Sequence, residues 1–261
     1  MSGHRRPKAY SHRGFSTHGE ENTMAAFRAA VELGLTHLET DVRTTSDGHL
    51  VVFHDEELDR LTGETGRIAD LTLDDLARVR VAGEPIPTFE ELLTAWPHVE
   101  LNVDLKDERS VRTLADAVIG HGAHGRVVAA SFSDRRRRAL RRELERRGSR
   151  QVRATAGMAL VAAFTLLGKA SRGGFQPWRL LRPFLRRIFA LQVPIRKGPL
   201  TVVEPGFLAR AHEAGLEVHV WVVDDAETMH RLLDLGVDGI MADRADVLVD
   251  VYRERGIWPP G

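Results

Sequence analysis

Two pairs of charged residues in this sequence share one spacing. Glu39 and Asp41 stand two apart in HLETDV, and Asp104 and Lys106 stand two apart in NVDLK. In an extended strand, residues i and i+2 project from the same face, so each pair can act on one point. His12 closes the run KAYSH, and His54 follows the apolar run LVVF. Three carboxylates in a chain without cysteine suit a hard cation held by oxygen, Mg²⁺ or Ca²⁺. Two histidines that titrate near neutrality offer a general acid and a general base, and a lysine beside them complements an anion. Together these groups suit metal-assisted hydrolysis of a phosphate ester. Taken singly, each has a plainer reading. Asp104 and Lys106 could be a structural ion pair, Glu-x-Asp a solvated strand face, and Trp221 of VHVWVV a core residue. Only their ordered recurrence lifts the chemical reading above these.

Such groups converge only if strand ends are brought together. The chain alternates strand-like and helical runs, which implies parallel strands covered by helices. Strands are expected at 8–11, 37–42, 50–53, 99–105, 127–132, 217–223 and 237–241, with an eighth somewhere in 151–200. Helices are expected at 22–33, 73–79, 89–95, 111–119, 135–147, 204–214 and 226–235, and after 241. With 261 residues and no Pro/Gly-rich linker, one (β/α)8 barrel spanning 1–261 is favoured, with a small insertion at about 56–88 after the second strand. A doubly wound open sheet is the alternative. In a parallel barrel the active site forms where strands end, and His12, Glu39, Asp41, His54, Asp104 and Lys106 fall at such ends.

The sequence resembles the glycerophosphodiester phosphodiesterases. The likeness rests on SHRGFSTHGEENTMAAFRAAVELG and HLETDVRTTSDGHLVVFHDEELDRLTGETG. It continues through RIADLTLDDL, GEPIPTFEELL, LNVDLK, ASF, AGLEVHVWVVDD and LGVDGIMADRADVL. The resemblance implies a barrel that hydrolyses glycerophosphodiesters to glycerol 3-phosphate and an alcohol with a divalent metal. It implies Glu39, Asp41 and Asp104 as metal ligands and His12 and His54 as acid and base. Arg13 would contact phosphate and Lys106 would offset its charge. Glu21 would orient this group, and Trp221 would pack on the glycerol. The sequence departs from the family at Asp104, where glutamate is usual, and at Val222, where threonine is common. A carboxylate one methylene shorter reaches about 1.5 Å less, so the metal would shift, gain a water or bind more weakly. An enzyme acting on lysophospholipids at a membrane surface is the alternative within this chemistry. A lipid-headgroup binding barrel with little turnover is the alternative outside it, disfavoured because binding needs no acid–base pair.

Composition bounds the rest. Lys+Arg and Asp+Glu each number 37, hydrophobic residues make up 43% and charged residues 28%, as in ordinary globular chains. The balance is uneven along the chain. Between Glu145 and Glu204 there is no acidic residue and there are 12 basic ones, a basic segment at about 146–203. That segment suits an anionic surface or a solvated arginine face. Over 178–189 a helical wheel places Trp178, Leu180, Leu181, Phe184, Leu185, Ile188 and Phe189 opposite Arg179, Arg182, Arg186 and Arg187, a pattern found at membrane surfaces. Pro183 would kink or divide such a helix. Nucleic acid is not expected, because the arginines lack interleaved aromatics. The start lacks an apolar signal region, and the longest uncharged stretch, Ala154 to Gly168, falls short of a membrane span. A cytoplasmic location is therefore expected, with peripheral membrane contact as the alternative to an apolar face that simply covers the barrel.

Overall fold

The computed structural model describes residues 6–149, 152–171 and 175–260. Arg150 and Arg172 of the basic segment lie outside the described residues. Eight parallel strands form the barrel: β1 (Lys8–His12), β2 (His37–Thr44), β3 (Glu100–Leu105), β4 (Val127–Ala130), β5 (Arg153–Ala154), β6 (Ala190–Val193), β7 (Glu217–Val220) and β8 (Gly239–Ala242). Their order in the sheet is β5-β4-β3-β2-β1-β8-β7-β6. The two open edges meet through a parallel bridge between Thr155 and Ala190, with Phe189 N donating to Ala154 O at 3.0 Å. The outer helices include Met24–Glu32, Phe89–Ala95, Ser110–Gly120, Asp134–Arg146, Met158–Lys169, Pro205–Glu213, Ala226–Leu235 and Ala245–Glu254. Their apolar faces pack on the outward side chains of the strands, such as Leu38, Val103 and Val218, in one continuous core.

Two strand expectations need correction. Leu50–Val52 is a strand, but it lies antiparallel to β2 outside the barrel ring, with Val42 opposite Val52. The link between them is the short turn around Asp47 and Gly48, and a parallel neighbour would need a crossover of a dozen residues or more. The stretch 151–200 accordingly supplies two barrel strands, β5 and β6, rather than one. The run 50–88 forms the insertion. Its alternating side chains serve two cores: Leu50 and Val52 join the main one, while Val51 and Phe53 pack with Leu58, Ile68, Leu76 and Val79 in a second.

The basic segment also differs from expectation. Pro177–Leu181 is a 3-10 turn and Arg182–Leu185 a short helix, so no continuous helix spans 178–189. The tighter winding rotates the apolar residues apart. Trp178, Leu185 and Ile188 are buried, whereas Leu180 and Phe184 are exposed at 75% and 62%.

The amino-terminal end of the barrel is closed by buried polar and aromatic groups. Tyr10 packs edge-on against His37, Lys8 bonds Glu217 at 2.9 Å, and Glu217 bonds His219 at 2.9 Å. Gly239 is required here, because a Cβ would stand 2.9 Å from the His219 ring. With that end filled, the functional cavity opens at the opposite end.

Candidate active site

A cavity of about 510 Å³ lies at the carboxyl ends of the strands. His12, Arg13, Glu39, Asp41, His54, Asp104, Lys106 and Trp221 all line it. Strand register explains the convergence. His12 pairs with Glu39 across β1 and β2, Glu39 with Asn102 across β2 and β3, and Asp41 with Asp104 one layer higher. Each pair sits on inward-facing positions, so the charges form two layers across three adjacent strands.

The turn after β1 is built to present Arg13. Arg13 adopts a left-handed φ of 59° and Gly14 one of 82°. A Cβ at Gly14 would come within 2.7 Å of Ala26, so only glycine lets helix Met24–Glu32 close on the turn. Thr23 caps that helix by accepting from Ala26 N. The Arg13 guanidinium reaches Asp41 Oδ2 through Nε at 2.9 Å and donates to Glu21 Oε1 through Nη1 at 2.9 Å. Glu21 therefore stands behind Arg13 rather than on the cavity wall.

The carboxylates divide by environment. Asp41 is buried, but the Lys106 ammonium at 2.9 Å and Arg13 outweigh that burial and hold its carboxyl below the usual range. Asn22 Nδ2 also donates to Asp41 at 3.1 Å. Burial, with the nearby Asp41 charge, pushes Glu39 well up. Burial likewise raises Asp104, despite Lys106 at 2.7 Å. One oxygen of each, Glu39 Oε2 and Asp104 Oδ1, is buried and accepts no hydrogen bond. Among the described residues, no three His, Asp or Glu side chains are drawn to one common metal position. Burial would lower Lys106, but Asp104 and Asp41 outweigh it and hold the ammonium above its ordinary range.

Each histidine is held by an aspartate through Nδ1. His12 Nδ1 lies 2.6 Å from Asp243 Oδ1, and His54 Nδ1 lies 2.5 Å from Asp55 Oδ1. An ionised carboxylate only accepts, so the proton sits on Nδ1 and Nε2 is left for chemistry. Burial would lower His12, but Glu39 and Asp243 outweigh it and raise its pKa. For His54, burial wins over Asp41 and Asp55, and its pKa falls.

Sequence reasoning did not single out Asp55, Asp243, Asn22, Asn102 and Gln192. Asn102 carried a signal, since it stands two residues before Asp104 on the same strand face. Gln192 donates to it at 2.9 Å. Trp221 stacks edge-on with Phe132 at 5.7 Å, and Phe132 covers Lys106 with its ring 5.4 Å away. Apolar side chains also line the cavity: Met158, Val161, Ala162 and Leu166 of one helix, and Leu200 and Val202.

A barrel whose strand ends hold an arginine and a lysine beside two aspartate-braced histidines is the framework of a phosphodiester hydrolase. Comparison with known proteins places it further. The sequence profile of the glycerophosphoryl diester phosphodiesterase family matches residues 12–247. The chain is 40% identical over 253 residues to "Probable glycerophosphodiester phosphodiesterase 2" of Mycobacterium tuberculosis, covering 96% of this chain and 92% of that one. Its fold matches the crystal structure of a glycerophosphodiester phosphodiesterase from Agrobacterium tumefaciens, with a TM-score of 0.73, 24% identity, and 94% and 99% of the two chains covered. It also matches an Oleispira antarctica phosphodiesterase in complex with the product sn-glycerol-3-phosphate, with a TM-score of 0.75, 19% identity, and 95% and 97% covered. The chain belongs to the glycerophosphoryl diester phosphodiesterase family. Among the described residues, no helix is long and apolar enough to cross a membrane.

Proposed function

We propose that the chain hydrolyses glycerophosphodiesters to glycerol 3-phosphate and an alcohol at this cavity. The observation that carries the reading is the pair of Nδ1-braced histidines lining one cavity with Arg13 and Lys106. Arg13 and Lys106 hold the phosphate and offset charge that develops on its oxygens. One histidine Nε2 removes the proton from the attacking hydroxyl as its oxygen bonds phosphorus, and the other gives a proton to the alkoxide as the bond from phosphorus to that oxygen breaks. The attacking hydroxyl is that of water, or of the glycerol with water then opening the cyclic phosphate. Trp221 forms the wall on which the glycerol carbons rest.

The donor chemistry, oxygen ligands without a thiolate, fits a hard divalent cation, Mg²⁺ or Ca²⁺. Binding requires the three carboxylates to turn toward one point and away from Lys106, which now bridges Asp41 and Asp104. Two buried carboxylate oxygens, Glu39 Oε2 and Asp104 Oδ1, accept no hydrogen bond, the first meeting only His12 Nε2 at 3.7 Å, and no thiolate competes. Glu39, Asp41 and Asp104 would hold it. When bound, such a cation supplies Lewis-acid polarisation of the phosphoryl oxygens. The decisive test is incubation of the purified protein with glycerophosphocholine and Mg²⁺ or Ca²⁺. Release of glycerol 3-phosphate is expected, and no release with either ion refutes the reading.

A second substrate is favoured by the apolar wall. Helix Met158–Lys169 buries Leu160 and Phe164 in the core and turns Val161, Ala162 and Leu166 to the cavity. This accounts for the uncharged run noted in the sequence, because the helix is apolar on two faces. Such a wall suits the hydrocarbon chain of a lysophospholipid. Exposed Phe175, Leu180 and Phe184 near Arg182 and Arg186 suit contact with an anionic membrane. Parallel assays on lysophosphatidylcholine and glycerophosphocholine decide between the two substrates.

A further inference from the structure

The two histidines reach the cavity from separate parts of the chain. His12 and Arg13 leave the barrel at β1, whereas His54 and Asp55 belong to the insertion that follows β2. Nothing in barrel geometry alone sets the second group against the first. Arg60, on the short helix Asp59–Thr62 of the insertion, joins them. Its Nη2 donates to Glu21 Oε1 at 2.7 Å and its Nη1 to Glu21 Oε2 at 3.1 Å, a two-pronged bond to one carboxylate. Its Nε donates to Asp55 Oδ2.

Both carboxylates carry the linkage inward. Glu21 Oε1 accepts from Arg13, and Asp55 Oδ1 holds His54 Nδ1 at 2.5 Å. One planar guanidinium thus uses three N–H groups to span 39 residues of chain and fix the partners of two site residues. A lysine ammonium cannot reproduce this, because it is a point charge without a fixed fork. Exposed ion pairs ordinarily contribute little, and Arg60 is half-exposed. Pairs with forked geometry, joined in a network, are the ones that do contribute.

We infer that Arg60 is a positioning residue that sets the His54 ring against the Arg13 side of the cavity. The insertion, with its own small core around Leu58 and Ile68, is then the frame that aims His54. This inference rests on the proposed hydrolysis, in which His54 moves a proton. A displacement of about 1 Å in such a group can cost about 10²-fold in rate.

The test compares Arg60→Ala and Arg60→Lys in the full-length protein, alone and combined with His54→Ala, on glycerophosphocholine. Arg60→Ala is expected to lower kcat about tenfold or more with a smaller change in KM, and Arg60→Lys to recover little of it. In the His54→Ala background the Arg60→Ala change is expected to cost less than twofold, because the group it positions is gone. An equal cost in both backgrounds, or a cost below twofold in the parent, overturns the inference. A nitrogen-coupled NMR spectrum gives a readout that needs no turnover. The His54 Nδ1 proton signal should be sharp in the parent protein and broadened in Arg60→Ala. If the parent shows no hydrolysis, the functional reading fails, and an unbroadened His54 signal in Arg60→Ala would then overturn the positioning role as well.

Discussion

Asp41 and Asp104 occupy paired positions on adjacent parallel strands, and the ammonium of Lys106 is held between them at 2.9 and 2.7 Å. They are not equivalent. Asp41 also meets Arg13 and Asn22 and stays ionised, whereas Asp104 keeps one buried oxygen without a donor. The unpartnered oxygen sits on the shorter carboxylate, at the position where the family resemblance predicts glutamate.

That asymmetry makes Asp104→Glu informative. The longer side chain should alter affinity or preference among Mg²⁺, Mn²⁺ and Ca²⁺ while leaving thermal stability nearly unchanged. Metal titrations of activity in both proteins check this. Superimposable curves for all three ions would remove Asp104 from the ligand set. In the parent protein, excess EDTA should abolish hydrolysis, and Glu39→Ala or Asp41→Ala should do the same without unfolding the chain.

Loss of either braced histidine should be costly. His12→Ala and His54→Ala are each expected to lower kcat by about 10² or more. The double variant should fall well short of the product of the two effects, since both groups act in one reaction cycle. Steady-state kinetics with glycerophosphocholine measure this, and a single variant with near-parental kcat would make its histidine structural.

The buried floor of the barrel predicts loss of stability in acid. Burial outweighs Glu100 and brings His37 down from an ordinary 6.5 to about 4. The fold therefore favours the neutral ring. This stabilisation is complete above about pH 6.5 and is lost as pH falls through about 4, an effect of about 3 kcal/mol. Glu217 adds to it at lower pH. Burial opposes its ionisation, but bonds from His219 and Lys8 prevail and hold it at about 2. Its share is present above about 4.5 and disappears toward 2. Urea unfolding at pH 7 and pH 4.5 should show a sharp loss in the parent and a smaller one in His37→Gln. A parent curve flat over that interval would contradict the assignment.

The apolar wall and the exposed 175–184 residues predict a substrate-selective response. Leu166→Glu should lower kcat/KM for lysophosphatidylcholine about tenfold more than for glycerophosphocholine. Arg→Glu at 182 and 186 should weaken binding to anionic vesicles, and salt should do the same. Equal losses on both substrates, together with no vesicle binding at low salt, would return this region to a structural role.

Strand alternation alone placed the main charged side chains on one face. Glu39, Asp41, Asp104 and Lys106 were legible because a strand alternates its faces, whatever surrounds it. The repeated strand-then-helix pattern likewise announced a parallel sheet. Other features depended on contacts between distant segments. β5 has only two residues, too few to show any periodicity, and the ring closes through Thr155 and Ala190. Leu50–Val52 reads like a barrel strand, and only its pairing direction sets it apart. Asp243 braces His12 from 231 residues away, and Arg60 reaches Glu21 across 39. Lone aspartates and arginines outside the barrel strands carry no pattern of their own. Their roles arise from distance and angle, which the closed barrel and its insertion set.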